Sequence, residues 1–296
     1  AVTYFPSMTL TAFAAGNNGA AAADENQPGL VGTGPYDIWV AGVQVTDENK
    51  DNILADSTAP EGNTGTAAYD PDTNVLTLTG VNITKGYYQG GFADGYIYSA
   101  VSGLTVQFVG TNSIDSTADT AAKKSTYAGI YADASLTVQG AEGATLDITA
   151  PVGIGTGADF GLTVENLTIN DAIIDSGFDT MTNDFCLKSG TGLTVTNCNI
   201  TAKTDLTKES TGANYKGLAA CQSDSGDITF DGSNLTTGKS DGVSAVLTAA
   251  PLSAVRTDGS GQTVTVTGST IRSTVTDMPA FEIADSSSSA PTAALT

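Results

Sequence analysis

Histidine is absent from all 296 residues. Without it the chain can build neither a cysteine–histidine nucleophile nor a histidine-bearing zinc site. Three cysteines are too few for a disulfide scaffold. Basic residues are scarce as well, with 11 Lys plus Arg against 32 Asp plus Glu and a net charge of −21. A field of that sign repels nucleic acid and anionic membranes, and it discourages an anionic polymer as ligand unless metal ions bridge the two. No apolar run approaches the roughly 18 residues of a membrane-spanning helix, so membrane insertion is not expected. Tryptophan occurs once, and amphipathic helical stretches are missing.

What the chain does have is a repeat. LTVTNCNI, Leu193 to Ile200, places a hydrophobic residue, a threonine and a second hydrophobic residue ahead of a third hydrophobic residue seven positions after the first. LTLTGVNI from Leu76, LTINDAII from Leu167, ITFDGSNL from Ile228 and VTVTGSTI from Val264 fit the same template. Looser copies start at Leu104 and Leu136, with three extra residues in the turn. First residues at 76, 104, 136, 167, 193, 228 and 264 are separated by 28, 32, 31, 26, 35 and 36 residues, inside the range of solenoids and propellers.

Apolar-Thr-apolar runs alternate faces with the period of a strand. Gly, Asn, Asp and Ser clusters lie between them, so successive copies are expected to stack as parallel strands whose loops absorb the variable length. Leucine-rich repeats are shorter and carry a leucine-asparagine signature missing here. Propeller blades would need four strands per repeat, and a β-sandwich is the runner-up fold. The expectation is an all-β chain: a right-handed parallel β-helix of about seven to eight rungs with an N-terminal β-hairpin cap. A solenoid grows along one axis, so a single elongated domain suffices.

In chain order, residues 1–14 end in Ala12-Phe13-Ala14, the small-x-small tail of a signal-peptidase site, and read as a signal-peptide remnant. A flexible Ala, Gly and Asn segment follows over 15–35. Residues 36–75 form the cap: one hairpin turns at Ala41-Gly42, and a second turns through Asp70-Pro71-Asp72-Thr73-Asn74. Asp70 and Asp72 read as turn chemistry ahead of calcium ligands. Trp39 reads as cover for the first rung ahead of a sugar-stacking platform. The β-helix occupies 76–285, and 286–296 is a Ser/Pro/Ala-rich linker, as expected for a piece of a longer surface protein.

The order YDIWVAGVQVT, ENKDNIL, GTAAYDPDTNVLTLTGVNI and GIYADASLTVQG resembles secreted surface proteins of Gram-positive, gut-type bacteria. Those proteins are labelled carbohydrate-binding domain-containing and are described as right-handed, pectate-lyase-like β-helices. The resemblance covers roughly residues 36 to 285 and rests on structural motifs. It implies architecture and an extracellular, cell-surface location, and it transfers no catalytic motif.

Lys85 to Tyr98 sets five aromatic residues among glycines. Tyr87, Tyr88, Phe92 and Tyr96, with Asp94, are the expected ligand-binding residues: ring faces stack on a pyranose while a carboxylate takes its hydroxyls. Asp171, Asp175, Asp179 and Asp184, and separately Asp224, Asp227 and Asp231, read as solvated turns. Calcium is the one cofactor such turns admit, and no metal ligand set is assigned. Cys186 and Cys221, each seven residues ahead of a rung, are expected to stack on adjacent rungs as thiols, with Cys198 as a small packing residue at a turn. Thr77, Thr105, Thr137, Thr168, Thr194, Thr229 and Thr265 form a column whose mixed neighbouring column argues against an ice-binding lattice.

Function is expected to be a non-catalytic module for carbohydrate binding or adhesion, its partner a polysaccharide or glycan. The alternatives are a polysaccharide lyase or glycoside hydrolase of the β-helix type, for which Lys188 and Lys216 are the nearest bases, and a structural spacer.

Overall fold

The computed structural model describes residues 34–55, 63–86, 94–118, 127–174, 185–205, 219–239, 253–257, 261–274, 280–283 and 294–295. The described strands join one hydrogen-bonded sheet wound on itself, a parallel β-solenoid of about four turns with an antiparallel N-terminal pair. No α-helix occurs among the described residues; Ile53–Ala55 and Ser116–Ala118 are short 3-10 turns.

Three walls enclose the core. On the first, Leu104, Leu136, Leu162, Leu193, Ile228 and Val264 are successive partners. On the second, Ile114, Ile148, Asp171, Ala202 and Thr237 follow one another. On the third, the order is Ile97, Ile130, Ile154, Leu187, Cys221, Val255 and Phe281. Alternation along each strand sends these side chains inward, and nearly all are buried in one continuous cluster. Each fully buried Leu or Ile contributes roughly 1.5–3 kcal/mol.

Corners have their own chemistry. Between the first and second walls the chain turns on a single left-handed residue, Asn166 (φ 54°), Asn197 (φ 52°), Gly232 (φ 57°) or Gly268 (φ 55°). Asparagine and glycine are the residues that enter this conformation at least cost. Between the third and first walls, hydroxyls occupy most of the stack Ser99, Ala132, Thr156, Ser189, Ser223 and Thr257. Thr156 Oγ1 donates to the Phe160 carbonyl at 2.8 Å, and Ser189 Oγ to that of Gly192 at 2.5 Å. Carbonyls that the turn would otherwise leave unpaired are satisfied in this way.

The first coil is covered by antiparallel strands. Ile38–Val40 pairs with Val43–Gln44 around Ala41 (φ 53°) and Gly42 (φ 81°), the doubly left-handed turn that suits a two-residue hairpin. Ile38–Val40 also runs antiparallel to Asp94–Ser99, and Thr64–Asp70 antiparallel to Val75–Ile83. Between those last two strands, Asp70 accepts from the Asp72 N–H at 3.0 Å and the Thr73 hydroxyl at 2.7 Å. The expected turn role of Asp70 is thus observed, and the cap shields strand edges that would otherwise be open.

Three register expectations are corrected. Leu162, not Leu167, lies between Leu136 and Leu193, so Thr163 replaces Thr168 in the threonine column. Leu167 instead holds the corner position before the second wall: Asn199 N–H donates to its carbonyl, as Asn234 N–H does to that of Cys198. Leu76 faces Val106 rather than Leu104, which sets Thr77 beside Gln107. Finally, Cys221 lies opposite Leu187, one residue away from Cys186. The pairing shifts between Thr191 and Leu193, where the later coil carries one extra residue, so counting back seven from each rung misaligns the cysteines. All three cysteines are buried free thiols.

Candidate ligand-binding wall

Outward positions on the third wall form a second column. Trp39, Tyr98, Tyr131, Gly155, Lys188, Gln222 and Arg256 are successive partners, contributed by the cap and six following strand segments. The aromatic part is a ladder. Trp39 and Tyr98 have ring centroids 5.6 Å apart at 57°, and Tyr98 and Tyr131 lie 6.3 Å apart, nearly parallel at 12°. Tyr98 is buried between its neighbours, which are half-buried. Beyond Gly155, the Lys188 ammonium sits 4.9 Å from the Phe185 ring centroid and 3.2 Å from Asp224 Oδ1.

Polar groups gather at the edge of the ladder. Burial, and secondly the Asp133 charge, push the Tyr131 phenol up to about 12. Burial, and secondly the Asp159 charge, raise the Asp133 carboxyl above the usual carboxylate range. Gly157 lies where these groups converge: a Cβ there would stand 2.7 Å from Asp133 Oδ1 and 3.5 Å from Tyr131 Oη. A phenol that donates, carboxylates that accept and a ring that stacks are together suited to a polyhydroxylated ligand.

The structure distributes the expected site residues differently. Tyr87, Tyr88 and Phe92 lie outside the described residues. Asp94 begins the strand Asp94–Ser99, opposite Tyr127. Tyr96 is a core residue with no exposed surface, its hydroxyl donating to the Ser116 carbonyl at 3.3 Å; its ring is not presented to a ligand. Asp171 is likewise no solvated turn, for it points into the core, while Asp175, Asp179 and Asp184 lie outside the described residues. Asp224 pairs with Lys188 and accepts from Gln222 Nε2 at 3.0 Å, and Asp227 accepts from the Thr263 N–H at 2.9 Å. Among the described residues no three Asp, Glu or Cys side chains group as a metal site.

Tyr98 and Tyr131 are not among the ligand-binding residues expected from the sequence. A signal was present: Ile97-Tyr98 and Ile130-Tyr131 repeat the same pair at the same place in successive coils. A shallow groove also runs along the first corner past Glu142, Asn166, Asn197 and Asn234, with no aromatic side chain in its lining.

Fold and site together define a parallel β-solenoid that carries an aromatic ladder with flanking carboxylates on one outer wall. No protein-family model, curated protein or solved structure matches the chain.

Proposed function

We propose that the chain is a non-catalytic carbohydrate-binding or adhesion module, displayed outside the cell on the surface of a Gram-positive bacterium as part of a longer protein. Its partner is a polysaccharide or glycan. The observation that carries this reading is the Trp39–Tyr98–Tyr131 ladder with Asp133 and Asp159 at its edge, since aromatic faces beside hydrogen-bonding carboxylates are what sugar recognition uses. The strongly acidic chain favours a neutral ligand over nucleic acid or an anionic membrane. We read the winding as right-handed, the sense that parallel crossover connections take, with seven to eight rungs.

Glycan-array and insoluble-polysaccharide binding, with and without calcium, tests the proposal on the intact chain and on a Trp39→Ala/Tyr131→Ala variant whose fold is checked by circular dichroism. Loss of binding in the folded variant is expected. Absence of binding by the unaltered chain to any glycan would sink it and leave the spacer reading.

One observation favours an enzymatic alternative. Asp133 is held above the usual carboxylate range with Asp159 as its charged neighbour, and paired carboxylates are what a glycoside hydrolase requires. Release of reducing ends by the chain, abolished in Asp133→Asn, would establish hydrolysis in place of simple binding.

A further inference from the structure

At the corner between the first and second walls the surface is hollowed. A groove of about 380 Å³ crosses successive coils there, past Glu142, Asn166, Asn197, Asn199 and Asn234. The left-handed turn that bends the chain also shapes the groove. Residues on either side of the corner, such as Asn197 and Asn199, are exposed, while Cys198 between them is buried and forms the floor with Ala144 and Leu167. The turn recurs from coil to coil, so the two lips run parallel to the solenoid axis. Asn199 lies in register between Thr168 and Asn234 on one lip. On the other, Asn166, Asn197 and Gly232 hold the left-handed position in turn. Four corners, from that of Glu142 to that of Gly232, span about 14 Å at roughly 4.8 Å per coil.

Amides line both lips, and most of their hydrogen-bonding capacity is unused. Asn197 Nδ2 donates to Asn166 Oδ1 at 3.4 Å, and Asn197 Oδ1 lies over Gly232, 2.7 Å from where a Cβ would stand. Among the described residues, the exposed Asn199 and Asn234 side chains have no hydrogen-bonded partner. An amide offers an N–H pair and a carbonyl oxygen side by side, so it matches hydroxyls that both donate and accept. Charge narrows the class of ligand. Among the described residues that line the groove, Glu142 alone is charged, and neither Lys nor Arg is present. Nothing there neutralises a phosphate, sulfate or uronate, in a chain whose net charge is −21.

We propose that this corner groove is a second glycan site, which takes an extended, uncharged oligosaccharide laid along the solenoid axis and holds its hydroxyls by the amides of Asn166, Asn199 and Asn234. The inference rests on the carbohydrate-binding reading and deepens it. Period favours a sugar chain over a peptide. Coils recur at roughly 4.8 Å, whereas a peptide strand advances about 3.3 Å per residue, so its successive residues fall out of step with successive coils. One pyranose of an extended chain advances by close to one coil, and each sugar meets an equivalent corner. No aromatic ring in the described lining adds stacking, so this site works by hydrogen bonds and is the weaker of the two. In a three-walled solenoid the corner lies opposite the third wall. The groove and the Trp39–Tyr98–Tyr131 ladder therefore face away from each other, and one molecule joins two glycan strands.

The test titrates neutral gluco-, manno- and xylo-oligosaccharides of two to six units into the isotope-labelled intact chain and follows the side-chain amide signals by NMR. Those of Asn199 and Asn234 should shift, and they should still shift in Trp39→Ala/Tyr131→Ala, where the ladder is lost. Affinity remaining in that background should rise with length to about four units, one for each corner, and then level off. Adding Asn199→Ala and Asn234→Ala should keep the fold and lower the remaining affinity at least about fivefold, while Thr201→Ala, outside the groove, changes it little. Unmoved Asn199 and Asn234 signals in a chain that binds sugar, or full residual affinity in the folded asparagine variant, would overturn the groove and leave the ladder reading intact. Equal shifts with a serine–glycine peptide would overturn the glycan assignment. Failure of the unaltered chain to bind any sugar would overturn both sites. Should the asparagine variant not fold, the amide signals of the unaltered chain decide.

Discussion

Asp171 stands against Gly153 inside the solenoid, its Oδ2 2.6 Å from where a Cβ on that glycine would be. No N–H or O–H reaches either carboxyl oxygen. The neighbouring Cys186 thiol offsets burial only in part, and the carboxyl is pushed up to about 8. A carboxylic acid thus occupies a column whose other members are Ile114, Ile148, Ala202 and Thr237, and it is protonated at neutral pH.

This makes stability depend on pH. The folded chain keeps the Asp171 proton up to about pH 8, whereas an unfolded aspartate releases it near 3.9. The contribution is therefore complete below about pH 4 and declines as pH rises toward 8, because the native state binds the extra proton throughout that window. Denaturant midpoints of Asp171→Asn, measured from pH 5 to 9, should show a flatter pH dependence than those of the unaltered chain. Parallel curves would contradict the assignment.

Gly153→Ala should be destabilising by about 1–3 kcal/mol, the usual cost of overpacking a filled interior. The atoms in the way are the buried Asp171 carboxyl and the Cys186 backbone carbonyl. Combining the change with Asp171→Ala should recover part of the loss, which a double-mutant cycle in urea would measure.

Asn112 binds three coils together. Its Oδ1 accepts from the Val81 N–H at 3.0 Å, while its Nδ2 donates to the carbonyls of Val109, Gly110 and Thr145 at 3.2, 3.0 and 3.2 Å. With Asn112 removed as Asn112→Ala, buried backbone groups lose their partners, at about 1–3 kcal/mol for each one left unsatisfied. A lowered thermal midpoint is the expected result, and faster amide exchange at Val81 should accompany it.

All three thiols should resist Ellman's reagent in the native state and react in denaturant. Cys186, Cys198 and Cys221 are buried, and burial raises each pKa, that of Cys198 to about 11. Thiolate is the reactive form, so both access and ionisation oppose reaction. A thiol titrating rapidly without denaturant would show that its wall opens.

Much of the architecture was legible in the one-dimensional pattern, for a local reason. Alternation in LTVTNCNI makes Leu193 and Val195 face one way and Thr194 the other whatever lies beside them. The turns at Ala41-Gly42 and Asp70 to Asn74 carry their geometry in their own residues. Register was less legible. LTVENLTI holds two apolar-Thr starts five residues apart, Leu162 and Leu167, and only packing against Leu136 and Leu193 selects the first.

The sequence by itself determined that the chain is built of short alternating strands, where its hairpins turn, and that no histidine-dependent chemistry is open to it. Those are properties of single residues and near neighbours. Tertiary structure decided that Tyr96 and Asp171 face the core, that Cys221 lies opposite Leu187, and that Trp39, Tyr98 and Tyr131 meet on one wall. Stacking between coils brings together residues far apart in the chain. A one-residue shift at a corner exchanges inside for outside, so these relations exist only once the solenoid is wound.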